Sequence, residues 1–162
     1  MLKGLFGDSR QGRRDDAELG KGVWRRAHDR FRRGLDRFHQ MLEGVEEEAR
    51  NAPSAGDDYA ALVPVANALA ELLPLVRGIA ARAHAVAPSE GMEIPTGTGG
   101  YLNDVHRELS RAGNALAAAA EAVAMVRLGA GEVPGVVRRA GMVQAHVNRA
   151  AELLDKGPSG TA

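Results

Sequence analysis

Cysteine is absent from the 162 residues, which excludes disulfides and thiolate metal sites and fits a reducing compartment. Aromatics are scarce, with one Trp, two Tyr and three Phe, and the basic stripe described below has no exposed rings between its arginines on which nucleic-acid bases could stack. Net charge is missing too. The 21 Lys and Arg balance the 21 Asp and Glu, and no whole-molecule field draws the chain to nucleic acid or to an anionic membrane. The apolar patch of Met1 to Gly7 is too short for a signal peptide and is followed at once by charges, so a cytoplasmic location is expected. One domain suits this length.

What the chain does have is helical rhythm. Apolar residues recur at alternating steps of three and four in four segments, the mark of packed amphipathic helices. The first runs from Val23 to about Arg50 with Trp24, His28, Phe31, Leu35, Phe38, Leu42, Val45 and Ala49 on its seam. The second begins near 55–58, after the turn chemistry of Asn51 to Gly56, and reaches about Ala87 with Tyr59, Leu62, Ala66, Leu69, Leu73, Val76, Ala80 and Ala83. The third, Tyr101 to Leu128, carries Leu102, Val105, Leu109, Ala112, Leu116, Ala119, Val123 and Val126. The fourth carries Val133, Val136, Ala140, Val143, Val147, Ala150 and Leu154, with Pro134 suited to its first turn. Short connections at 51–56 and 129–132 make two antiparallel hairpins, and a loop over 88–100 joins them. The expected fold is an all-α, up-down-up-down four-helix bundle over 21–156. It is flanked by a mostly disordered segment, 1–20, and a flexible tail, 157–162.

Packing follows from side-chain size. The rings of Trp24, Phe31 and Phe38 need shallow holes, which the alanines from Ala115 to Ala120 supply. Gly34 beside them marks close helix approach. The second helix bears a third apolar column, Val65, Leu72, Ile79 and Val86, which is a candidate homodimer face. Its stretch from Tyr59 to Val76, which has no basic residue, does not read as a membrane span, because Pro64 and Pro74 interrupt it and Asn67 and Glu71 fall away from the seam.

Chemistry is sparsely marked. No carboxylate shares a seam with His28, so the paired inward carboxylates of a metal-binding bundle are lacking, and neither a metal, a cofactor nor a catalytic residue is expected. Arg26, Arg30, Arg33 and Arg37 form a basic stripe opposite the seam of the first helix, a candidate surface for an acidic protein or a phosphate. Thr96, Gly97, Thr98, Gly99 and Gly100 precede a helix N-terminus and form a candidate anion-binding loop, although the P-loop lysine is lacking and Asp104 and Glu108 follow. Arg139 and His146, Arg77 and His84, and Arg33 and His39 have the Arg-x(4–6)-His spacing of the helical HEPN ribonucleases. That family usually places a polar residue directly after the arginine. Here Ala140, Gly78 and Gly34 stand there, so the resemblance carries no activity over.

The sequence therefore points to a non-enzymatic cytosolic module that presents helix surfaces to a protein partner, with homodimerisation a candidate and nucleic acid and membrane insertion disfavoured. A small-ligand or anion-binding regulator using the loop 88–100 is the alternative. A helical nuclease, for which His146 would be the test residue, is a remote one. Arginine in place of lysine, with abundant Ala, Gly and Val, is the composition of a GC-rich bacterial genome.

Overall fold

The computed structural model describes residues 2–95 and 99–158, and these are almost entirely helical, with no strand among them. Five helices follow in order: α1 (Leu2–Leu19), α2 (Val23–Ala49), α3 (Pro53–Val86), α4 (Tyr101–Arg127) and α5 (Val133–Lys156). The all-α expectation holds, and the count of four helices is corrected to five. The extra helix is α1, in the segment expected to be mostly disordered. It buries Leu19 and Asp15 and lies against α3 and α2. Its sequence carries no sustained apolar seam because charge pairs, described below, do much of the docking. Of the expected tail, Gly157 closes α5 with a φ of +60°, and 159–162 lie outside the described residues.

The seams behave as spacing predicts. Trp24, Phe31, Leu35, Phe38, Leu42 and Val45 of α2 are buried, as are all eight seam residues of α4 from Leu102 to Val126. Helix α3 starts at Pro53, slightly before the expected boundary, because proline at the first helical position lacks only a hydrogen bond that is absent there anyway. Pro64 and Pro74 sit inside it.

Side-chain pairs give the directions. The Trp24 indole Nε1 donates to the Ala87 carbonyl at 3.0 Å, so the start of α2 meets the end of α3 and the two are antiparallel. Trp24 also stands edge-on to the His106 ring, and Gly44 lies against Arg127, so α2 and α4 run parallel. Glu108 meets His146 across an antiparallel α4–α5 pair. Helices α3 and α4 scarcely touch, so the chain from Ala87 to Gly100 crosses between helices that are not neighbours.

Two readings of α3 change in three dimensions. Leu72 and Ile79, offered as part of a dimer face, are core residues only 4% exposed, and α5 lies beside Leu72. Val65 is half-buried against the same core, and only Val86 is exposed. By length and composition α3 could cross a membrane, with a mean hydropathy of 1.6 in its most apolar window. Its stripe of Leu62, Ala66, Leu69, Val76, Ala80 and Ala83 is buried within the protein, and 28% of that window is buried in all.

Three close approaches rely on glycine. A Cβ on Gly34 would lie 2.9 Å from the buried Leu116 side chain, which confirms close helix approach there. Gly20 has a φ of +71°. At Gly22 a Cβ would stand 2.4 Å from the Ser89 carbonyl carbon, which is backbone and cannot swing away. Gly22→Ala should therefore destabilise the protein by about 2 kcal/mol or more. Gly78→Ala and Gly141→Ala, in open helical positions, should each stabilise it by up to about 1 kcal/mol. Urea melts of the three variants check the contrast, and a neutral Gly22→Ala would refute the account of this turn.

Candidate functional site

The arginine stripe is exposed along its whole length. Eight arginines elsewhere sit on carboxylates, among them Arg14 on Glu18, Arg25 on Asp16 and Asp29, Arg77 on Asp15 and Glu18, Arg82 on Asp155, Arg107 on Asp104, and Arg111 on Glu108, while Arg10, Arg13, Arg32, Arg50, Arg138 and Arg139 have no such partner among the described residues. Among the described residues Arg26, Arg30, Arg33 and Arg37 have no such partner. Arg26 donates through Nη1 to the Gly91 carbonyl at 2.9 Å and lies 2.8 Å from the Met92 sulfur. Arg30 donates through Nη2 to the Asn114 side-chain oxygen. Neutral acceptors hold these heads in place and leave their charge uncompensated. Each planar fork still has unused N–H groups.

Arg26 and Arg30 line a cleft of about 240 Å³ between α2 and α4, together with His106 and Ser110 of α4. Val23, Ala27, Leu109 and Met92 supply its apolar lining. Burial pushes the His106 imidazole below its ordinary pKa of 6.5, so the ring is neutral at pH 7. It packs edge-on against Trp24 with centroids 5.8 Å apart. Neither His106 nor Ser110 makes a side-chain hydrogen bond among the described residues. The sequence reading missed both, yet His106, Ser110 and Asn114 recur every four residues beside the α4 seam. That polar line flanking an apolar one was a legible sign of a wet groove.

At the same end of the protein a second charged cluster fastens α1. Asp15 is 2% exposed and takes Arg77 Nη1 at 2.7 Å and Gln11 Nε2 at 2.7 Å. Arg77 also grips Glu18 through Nε and Nη2 at 3.0 and 2.9 Å. Arg25 bridges Asp16 of α1 to Asp29 of its own helix, both at 2.9 Å. The other oxygen of Asp29 meets Nδ1 of the buried His28 at 2.9 Å. That contact accounts for the polar face of His28, the seam histidine, without any ligand. Burial alone raises the Asp15 carboxyl pKa, but hydrogen bonds from Arg77 and Gln11 and the charges of Arg77 and Arg25 outweigh it and hold the group below its usual range. Arg77 is flanked along α3 by a long uncharged stretch broken only by Glu71, and this isolation was the one sequence sign of a buried partner.

The remaining sequence candidates are not brought together. Gly99 and Gly100 are exposed, Gly99 has a φ of +90°, and Thr96, Gly97 and Thr98 lie outside the described residues. The same loop meets the arginine stripe through Gly91 and Met92. His146 pairs with Glu108 at 2.7 Å, whereas Arg139 donates to the Gly135 carbonyl of its own helix. Hydrogen bonds from His146 and Arg111 more than offset burial and lower the Glu108 pKa. Among the described residues no three His, Asp or Glu side chains gather in a way that could hold a metal ion. The structure thus defines an all-α protein of five helices with a basic cleft on its second helix. Comparison with protein-family models, curated proteins and solved structures finds no match.

The lowered Asp15 pKa predicts how stability changes with pH. A carboxylate held below its ordinary pKa of 3.8 contributes stability above that value, and the contribution disappears as pH falls through the lowered one. Urea melts should show wild type weakening below about pH 4. Asp15→Asn should start weaker at neutral pH and lose less on acidification. Equal acid sensitivity in the two proteins would show that this carboxylate does not hold α1.

Proposed function

We propose that the protein is a non-enzymatic, cytosolic interaction module. In this reading α2 to α5 form a bundle that holds the basic side of α2 rigid for an acidic protein partner. The supporting observation is the alignment of four exposed arginines, Arg26, Arg30, Arg33 and Arg37, in one row of α2 without carboxylates, whereas eight arginines elsewhere are ion-paired. Like charges three and four residues apart on a helix repel by a few tenths of a kcal/mol. The row therefore costs folding stability, and within the chain only Arg26 and Arg30 recover part of it, through neutral acceptors at Gly91 and Asn114. A partner that brings carboxylates to it would recover that energy.

Rigidity supports the same reading. The opposite side of α2 is fixed by Trp24, Phe31 and Phe38, each almost fully buried, so the arginine row holds a constant spacing. The large hydrophobic side chains that remain exposed are Leu, Val and Met, with no aromatic among those described, which disfavours a surface for single-stranded nucleic acid. Membrane insertion is not part of the proposal, since α3 gives its main stripe to the core and carries the Arg77 ion pairs. Self-association through α3 is not part of it either, with Leu72 and Ile79 buried.

Capture from lysate with immobilised wild type and with Arg33→Glu plus Arg37→Glu tests the proposal. Wild type should retain acidic proteins at about 0.15 M salt and release them near 1 M, where the Debye length falls to about 3 Å. The charge-reversed variant, which should melt like wild type because both heads are exposed, should retain none of them. Identical capture by the two proteins would overturn the proposal.

A further inference from the structure

We infer that the cleft between α2 and α4 is a binding site for a small phosphate monoester, with the phosphate held by Arg26, Arg30 and Ser110 and a short apolar body seated on Ala27, Leu109 and Met92. The inference goes beyond the macromolecular reading and does not depend on it.

The donors are the first ground. The four polar groups lining the cleft are two guanidiniums, one hydroxyl and one imidazole, and no carboxylate stands among them. Each guanidinium is tethered by neutral atoms, Arg26 by the Gly91 carbonyl outside the cleft and the Met92 sulfur at its rim, and Arg30 by Asn114 outside it. The tethers restrict the side chains while leaving further N–H groups unused. Ser110 and His106 have no side-chain hydrogen bond among the described residues. These free donors outnumber what a carboxylate's two oxygens need, and they suit the three terminal oxygens of a phosphate monoester.

Size and polarity give the second ground. At about 240 Å³ the cleft lies below the roughly 300–1,000 Å³ usual for drug-sized ligands, so it admits a head group and a short body. Val23, Ala27, Leu109 and Met92 supply the apolar part of the lining. Met92 is 76% exposed at the rim, and its flexible thioether can fold over a bound group. The neutral His106 ring can give one hydrogen bond without adding a third positive charge.

Calorimetric titration of the whole protein with phenyl phosphate and with inorganic phosphate is the test. Phenyl phosphate should bind saturably with a Kd of about 1 mM or lower, and inorganic phosphate about tenfold more weakly for want of the apolar body. Arg26→Gln plus Arg30→Gln should weaken phenyl phosphate at least about tenfold. Arg138→Gln plus Arg139→Gln, which removes the same charge from exposed positions on α5, should leave binding unchanged. All four heads are exposed, so circular dichroism should match wild type in both variants. Absence of saturable binding to wild type would overturn the inference, and so would equal affinity for the two probes. Equal losses in the two double variants would overturn it too, because they would mean general charge attraction. Lysate capture can fail without touching these outcomes, so the two proposals fall separately.

Discussion

Gly22 has no side chain, and Ser89 occupies the place where one would be. An ideal Cβ there would lie 2.2 Å from the serine hydroxyl oxygen, so the chain can close at this point only through glycine. The contact ties the whole end of the molecule together. Ser89 Oγ accepts from the Val23 backbone N–H at 3.1 Å and donates to the Glu93 carbonyl at 2.8 Å, while its own N–H donates to His84 Nδ1. One residue away, Trp24 Nε1 reaches the Ala87 carbonyl. The start of α2, the end of α3 and the first residues of the crossing loop are thereby held in one register. Gly91 and Met92 of that loop come to rest over Arg26, so the basic cleft depends on a glycine it does not contain.

The structure divides its cohesion between two kinds of interaction. The four long helices cohere through apolar area, with Trp24, Phe31, Phe38, Leu62, Leu102 and Leu116 almost fully buried. Burial of this kind contributes about 25 cal/mol per Å² and asks only for matching shape. Helix α1 is fastened differently, by Leu19 and by the carboxylates of Asp15, Asp16 and Glu18 set against Arg77 and Arg25. Such pairs are directional and give up desolvation energy against Coulomb attraction, so they hold α1 more weakly than the seams hold the rest. They also respond to acid where the seams do not.

Arginine is used in opposite ways on two sides of α2. Arg25 turns toward α1 and is surrounded by Asp16 and Asp29, whereas Arg26, the next residue, turns toward α4 and meets only a carbonyl and a thioether. A rotation of about 100° per residue is enough to move a side chain from a neutralised network to an open cleft. Both functional proposals rest on that second side. Its charge is held in position by neutral acceptors, which gives orientation without neutralisation.

By itself the sequence determined the four long helices, their seams, the proline at the start of α5 and the basic stripe of α2. Each of these is periodic and local, because a helix repeats every 3.6 residues and so writes its buried face directly into the chain. Gly34 was legible for the same reason, lying beside a column of large side chains. Tertiary structure alone decided the rest. Helix α1 was hidden because its partners Arg25 and Arg77 lie 9 and 59 residues from the carboxylates they hold, and charge pairing has no period. Leu72 and Ile79 looked like a dimer face, yet both are buried within the chain, since the width of an apolar stripe does not say which neighbour fills it. The cleft joins Arg26 and Arg30 to His106 and Ser110 because α2 and α4 run side by side, an adjacency fixed by the crossing loop and by the fit of Gly34 on Leu116. No helical period records which of two helices lies alongside a third; that is set by packing over the whole core.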